Sequence, residues 1–398
     1  MTKIFYGKNV YNYKEIKAVV KALKNTTQMS FYVNKFESVV SKIYKKKYCL
    51  MVNSGSSALT LALRSLDLPK NSEIIVPCLN FGTAVSSIIL SGFKPVVVDV
   101  CYETLQIDEN KIESKINKRT SALLIPNLIG NVPDWIKIKK IAKKFNLKII
   151  EDSADTFDPK INNFSTSNYA DVTMTSFYGS HLISCAGNGA ILITNNKKLY
   201  LKAKKIRSWG RESSVLPLSE DIKTRLKIKI AGKKYDKKFV FSELGCNFEP
   251  NEIGAAFGCE QLKKFKNFSK MRVKNFNYYF SFFRKLNNFF LVPKISKNIK
   301  TNFLAYPILI KKNKFFNRED LQIFLENNEI QTRPIFSGNI LRHPAFKIIR
   351  KYNKINNFPN ADKVMDSGIL IGCHQGLTIK NIKYVTKTIQ KFLQKFCN

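Results

Sequence analysis

Cys49-Leu50-Met51-Val52-Asn53-Ser54-Gly55-Ser56-Ser57-Ala58-Leu59 is the stretch that decides the fold. Cys49 to Asn53 reads as a short apolar strand. Ser54 to Ser57 are small, and Ala58 to Leu66 has the make-up of an apolar helix. Strand, small-residue turn, helix is a physical recipe for holding phosphate. Unpaired backbone N–H groups and the positive end of a helix then face one point.

Outward from this unit the same alternation continues. Strands are expected at Glu73 to Pro77, Pro95 to Val100, Ala122 to Pro126, Lys148 to Ile150, Val172 to Ser176 and Ala190 to Thr194. Helical periodicity marks Tyr13 to Lys24, Asn34 to Tyr44, Thr83 to Ser91, Ile136 to Phe145 and Asn251 to Phe265. Short apolar strands spaced by helices predict an α/β fold with a mostly parallel sheet buried on both faces. Ligands in such sheets sit at the C-terminal ends of strands. The Ser54 turn, Phe81, Asp152 and Ser176 all fall at or just after such ends. Glu212 to Lys238 is polar and charged, and reads as an excursion from the core. The chain is expected to divide into an N-terminal segment with a large domain, 1–265, and a small C-terminal α+β domain, 266–398. No internal repeat is visible.

Composition bounds the partners. With 398 residues and 44% hydrophobic side chains, the chain can bury two sizeable cores. The net charge of +38 is extreme, yet its lysines are scattered rather than focused. No zinc-finger spacing or RNA-binding aromatic motif accompanies them. A solvated basic surface that attracts phosphorylated substrates is the expectation, with no nucleic-acid partner. The eight cysteines form no CxxC pair, so free thiols and no metal site are expected. No apolar run reaches membrane-spanning length, and Met1 to Val10 lacks a signal-peptide core. A cytoplasmic enzyme without membrane contact is the expectation.

Six stretches, in order, carry a family resemblance. They are Val52 to Leu59, Ile75-Val76-Pro77, Pro95 to Asp99, Ile150-Glu151-Asp152-Ser153-Ala154, Ser176-Phe177-Tyr178 and Gly245-Cys246-Asn247. Together they resemble the DegT/DnrJ/EryC1/StrS sugar aminotransferases of pyridoxal-phosphate (PLP) fold type I, from about Phe36 onward. The resemblance implies a PLP or pyridoxamine-phosphate cofactor and a homodimer with shared active sites. Gly55, Ser56, Ser57 and Ser176 would hold the cofactor phosphate. Phe81 would stack on the pyridine ring, and Asp152 would pair with its protonated nitrogen, keeping the ring an electron sink. Asn247 would reach the phosphate of the partner subunit.

Within that resemblance one residue stands out. Ser176-Phe177-Tyr178-Gly179-Ser180-His181 has the outline of the family's cofactor-lysine segment, with His181 in the lysine's place. Residues 161–196 contain no Lys or Arg, in a chain with 67 of them. A lysine would hold PLP as a Schiff base. A histidine moves protons but cannot form that bond. His-for-Lys marks a branch of the family that dehydrates nucleotide-linked 4-keto-6-deoxyhexoses at C3. Asp155 agrees with that branch, being acidic where the aminotransferases carry Gln or His. The implied chemistry is glutamate-dependent 3-dehydration of a GDP- or CDP-4-keto-6-deoxyhexose, on the route to dideoxysugars of surface polysaccharide. His181 would be the base, and Arg333 and His374 would be further contacts for sugar or glutamate. One group in this branch binds an iron–sulfur cluster on cysteines that include a Cys-x-Cys pair; this chain has none, and no cluster is expected. One departure is the family's Gly-Glu-Gly-Gly, which here reads Ala186-Gly187-Asn188-Gly189. Two alternatives therefore stay open: a nucleotide-sugar aminotransferase, or a non-catalytic binding protein of the same fold.

Overall fold

The structure is a computed structural model that describes residues 3–216 and 220–396. Seven strands build the larger sheet: β1 (Tyr48–Val52), β2 (Glu73–Pro77), β3 (Lys94–Val98), β4 (Thr120–Pro126), β5 (Lys148–Asp152), β6 (Val172–Ser176) and β7 (Ala190–Thr194). Their spatial order is β1-β7-β6-β5-β4-β2-β3. The pairs β6/β5, β5/β4, β4/β2 and β2/β3 are parallel, and β7 alone runs against its neighbours. β2, β6 and β7 are buried at every residue, as expected for a sheet covered on both faces. This is the mostly parallel α/β sheet that the strand–helix alternation predicts.

Among the described residues ten helices of nine residues or more surround the sheets: α1 (Tyr13–Asn25), α2 (Phe31–Tyr44), α3 (Gly55–Ser65), α4 (Gly82–Leu90), α5 (Trp135–Lys144), α6 (Lys197–Arg207), α7 (Glu252–Arg284), α8 (Arg318–Asn327), α9 (Pro359–Ser367) and α10 (Ile379–Gln394). The smaller sheet is antiparallel throughout. It comprises β8 (Phe290–Leu291), β9 (Ala305–Ile310), β10 (Thr332–Pro334) and β11 (Gly368–Gly372), in the order β8-β9-β11-β10.

Two elements outrun their sequence reading. The strand expected over 148–150 continues to Asp152, which joins the ladder opposite Met174 and Pro126. The helix expected over 251–265 continues to Arg284 as α7, so residue 265 lies inside one unbroken helix. Lysines crowd its middle, but Phe268, Arg272, Asn275, Phe276, Tyr279 and Phe283 keep a buried stripe at helical spacing. The excursion at 212–238 lies on the surface as expected. It holds a hairpin, Ile228–Ile230 with Lys233–Tyr235, that pairs only with itself; its residues 217–219 fall outside the described residues. The seven described cysteines are unpaired thiols, and Cys397 lies outside the described residues. Among the described residues no helix is long and apolar enough to cross a membrane.

Candidate active site

The C-terminal ends of β1, β2, β4, β5 and β6 open onto one cavity of about 540 Å³. Its first wall is the turn between β1 and α3. Ser54 caps α3: its Oγ accepts from the Ser57 N–H at 3.2 Å and lies 2.9 Å from the Ser57 Oγ. That cap leaves Gly55 and Ser56, at the start of the helix, lining the cavity. Their N–H groups belong to the first turn, where no intrahelical acceptor exists. The approach is close, because a Cβ on Gly55 would stand 3.3 Å from Met174 Cε and 3.5 Å from Ser176. Ser176, at the end of β6, faces the same space and accepts the Tyr178 N–H on its Oγ.

The second wall is acidic. Asp152 ends β5 and is 7% exposed, and among the described residues its carboxylate accepts only the Ala154 N–H, at 3.0 Å. Burial pushes its carboxyl up to about 6. Among the described residues it has no ion-pair partner. Asp155 accepts the Ile129 N–H at 2.7 Å, and burial pushes it up to about 7. Beneath them Glu151 is fully buried and takes hydrogen bonds from Asn127, Ser153 and Thr173 at 2.7–2.9 Å, and from Thr166. Trp135 Nε1 fixes Asn127 from behind, 2.8 Å from its Oδ1.

His181 sits in the turn after β6, its N–H donating to the Tyr178 carbonyl at 3.0 Å. Its Nδ1 lies 3.3 Å from the Ser176 carbonyl oxygen. A carbonyl can only accept, so that contact fixes the tautomer with the proton on Nδ1 and the lone pair on Nε2. Burial, with the Arg272 cation adding to it, pulls the imidazole down to about 4. The ring is therefore neutral at pH 7, with the Nε2 lone pair free to accept a proton. No lysine among the described residues lines the cavity.

The remaining expected residues divide. Phe81 is 59% exposed, stands on the cavity wall and meets the Phe336 ring edge-on at 6.3 Å. Ser57 turns away and lines a neighbouring polar cavity with Asn53, Asn188 and Asn251. Arg333 is exposed and lines an adjoining cavity of about 400 Å³ that shares Tyr6, Phe81 and Phe336 with the first. His374 is buried and outside the cavity; its Nε2 faces the Phe5 carbonyl at 3.0 Å and its Nδ1 accepts the Gly376 N–H at 3.2 Å. Both ring nitrogens are thereby taken. Asn247 is exposed and lies outside the cavity of its own chain.

Sequence reasoning missed Tyr6, Asn80, Tyr178, Leu304 and Phe336, all on the cavity wall. Tyr6 and Leu304 come from segments remote in sequence, so no local pattern signals them. Asn80 and Tyr178 flank residues that were found.

The site fits a pyridoxal phosphate. Asp152 is a desolvated carboxylate with no cation beside it, and a protonated pyridine nitrogen supplies one. The Gly55–Ser56 turn supplies free donors for a phosphate, and Phe81 a face for the ring.

Comparison with known proteins agrees. The DegT/DnrJ/EryC1/StrS aminotransferase family pattern matches residues 10–390. The lipopolysaccharide biosynthesis protein RfbH of Salmonella typhimurium is 29% identical over 95% of this chain and 89% of its own. A dTDP-4-dehydro-2,6-dideoxy-D-glucose 3-dehydratase of Saccharopolyspora spinosa is 30% identical over 91% of this chain and 80% of its own. Aminotransferases also match, among them a GDP-perosamine synthase of Escherichia coli O157:H7, 27% identical over 91% of this chain and 90% of its own. Among solved structures, a GDP-4-keto-6-deoxymannose-3-dehydratase with a trapped PLP–glutamate geminal diamine superposes with a TM-score of 0.87. It is 27% identical, over 97% of this chain and 99% of the other.

Proposed function

This chain belongs to the DegT/DnrJ/EryC1/StrS aminotransferase family, and from that premise we propose that it removes the C3 hydroxyl of a nucleotide-linked 4-keto-6-deoxyhexose, with glutamate as amino donor. Its cofactor is pyridoxal/pyridoxamine phosphate, which supplies an amine for the sugar ketone and a ring that accepts electrons. The observation that carries the reading is His181. It occupies the place of the cofactor lysine, in a cavity lined by no lysine among the described residues.

The chain's own residues divide the remaining work. Asp152 would hold the pyridine nitrogen protonated, and would gain the cation its burial calls for. Gly55, Ser56 and Ser176 anchor the phosphate, while Phe81 covers the ring. His181 takes a proton at Nε2 and, desolvated, gives it up readily. Asp155, at about 7, is a further cavity group able to hold or release a proton near neutrality. With no lysine among the described residues of the cavity to recapture the cofactor, an aminated sugar would be free to leave and would lose ammonia to water. Arg333, in the adjoining cavity, is placed for an anionic part of sugar nucleotide or glutamate. Asn247, exposed and away from its own cavity, suits a homodimer in which it reaches the partner's cofactor phosphate. The proposed setting is the cytoplasm.

Aminotransferases among the relatives support a second reading, transfer of the amine to C4 of the sugar. One incubation separates the two: purified protein, PLP, glutamate and GDP-4-keto-6-deoxymannose, read by mass spectrometry. A sugar short of one oxygen with ammonia released supports dehydration. A sugar carrying a new amine overturns it.

A further inference from the structure

We infer that Arg272 and Gln375 form a two-point clamp that positions His181. The inference rests on the reading of His181 as the proton-transfer group. Arg272, on α7, is fully buried and has no carboxylate partner among the described residues. Its Nη2 donates to the Ser180 carbonyl at 3.1 Å, immediately before His181. Its Nη1 donates to the Phe303 and Leu304 carbonyls, each at 3.0 Å, and its Nε to Gln375 Oε1 at 2.6 Å. Gln375 is also buried, and its Nε2 donates to the Leu182 carbonyl at 3.3 Å, immediately after His181. The two carbonyls that flank His181 are thus held by two side chains that are bonded to each other. One turn along α7, Asn275 holds the Cys373 and His374 carbonyls at 3.3 and 3.0 Å and fixes the segment that carries Gln375.

A clamp has a purpose here that a lysine site would not need. A Schiff-base lysine is located by its own bond to the cofactor. An untethered imidazole is located by its backbone, by the contact to the Ser176 carbonyl and by the Tyr178 ring, edge-on at 5.9 Å. A buried cation without an ion-pair partner is costly, and among the described residues Arg272 spends its donors on three carbonyls around the site and on Gln375 instead of on an acid. Phe303 and Leu304 lead into β9, and Gln375 follows β11, so the smaller sheet sets the seat of the base at the edge of the larger one. Arg272 and Gln375 are positioning residues: they touch His181's neighbours and do not line the cavity.

The test is the first proton-transfer half-reaction, glutamate converting bound PLP to pyridoxamine phosphate, followed by absorbance in a single turnover. Gln375→Met, Arg272→Met and Arg272→Lys are compared with wild type, alongside cofactor and glutamate affinity. Misplacing a reacting group by about 1 Å costs on the order of 100-fold, so both methionine variants are expected to slow about 10- to 100-fold. Cofactor and glutamate affinity should stay within about threefold on the same ground, and Arg272→Lys should recover part of the rate. Where Arg272→Met fails to fold, Gln375→Met alone decides. His181→Asn is run beside them. Clamp variants at wild-type speed while His181→Asn is slow would overturn the clamp and leave the base intact. Rate and affinity falling together would assign the pair a purely structural role. His181→Asn at wild-type speed would overturn the reading underneath.

Discussion

On the side of the cavity that faces α3, the groups on offer are backbone N–H donors, serine hydroxyls and one exposed ring, all from Ser54–Ser56, Ser176 and Phe81. On the opposite side they are ionisable: Asp152, which is buried, and Asp155 and His181, which are half-buried, each pushed by desolvation away from its ordinary titration range. The first side needs only a tight turn and a helix end, and asks nothing of distant chain. The second is held from elsewhere, by Ile129 on Asp155 and by Arg272 and Gln375 around His181. The difference teaches that anchoring a cofactor can be a local property of the sequence, whereas setting the protonation state of a base requires the assembled fold.

Substitutions on the two sides should therefore fail differently. The largest effect is expected at His181. Removing a general base costs about 10²–10⁴-fold, so His181→Asn should lose turnover on that scale while binding cofactor normally. His181→Lys should lose dehydration as well; dehydration at the wild-type rate in that variant would remove the histidine from the chemistry. Next is Asp152→Asn, which keeps shape and deletes charge. Losing a preorganised electrostatic contact costs on the order of 10²–10³-fold in rate, seen as kcat falling with little change in sugar KM.

The same carboxyl makes a pH prediction. A pKa raised to about 6 means that the folded, cofactor-free chain keeps a proton that the unfolded chain releases near the ordinary carboxylate value. That contribution to stability is present at low pH and lost as pH rises through about 6. PLP restores a counter-charge, so it should raise Tm more at pH 8 than at pH 5. An equal increment at both values would contradict the pairing.

Effects on the anchoring side should be smaller and should appear in affinity. Phe81→Leu should weaken PLP binding about 3- to 10-fold, the worth of about 0.5–1.5 kcal/mol of ring stacking, with kcat nearly unchanged in saturating cofactor. A fall in kcat that matched Asp152→Asn would erase the distinction between the sides. The smallest effect concerns the departure from the family's glycine run. Ala186 is exposed and sits at φ 56°, a left-handed conformation that costs a residue with a Cβ about 1 kcal/mol. Ala186→Gly should stabilise the fold by about that amount in a denaturant titration, without altering the rate.

This contrast also explains what the sequence disclosed. The strand–turn–helix at 49–66 and Asp152 and Ser176 at strand ends were legible because each is written in consecutive residues with a fixed period. His181 was legible against the family's pattern, through the absence of lysine around it. Arg272 was hidden because the lysine-rich middle of α7 reads as the end of a helix, and only tertiary packing shows which face is buried. Tyr6 and Leu304 were hidden because nothing local requires them near β6. His374 looked available as one of three histidines, yet the fold uses both of its nitrogens on the backbone of residues 5 and 376.

The most direct test of a neutral, untethered base is the rate of glutamate-driven conversion of bound PLP, measured from pH 4 to 8 in wild type and His181→Asn. With the imidazole held down to about 4, the limb that belongs to His181 should lie towards pH 4, and any limb near 7 should belong to Asp155 and vanish in Asp155→Asn. The His181→Asn variant should be slower throughout, by about 10²-fold or more. A limb near the ordinary histidine pKa that persists in Asp155→Asn, or a His181→Asn variant that keeps the wild-type rate, would contradict the account.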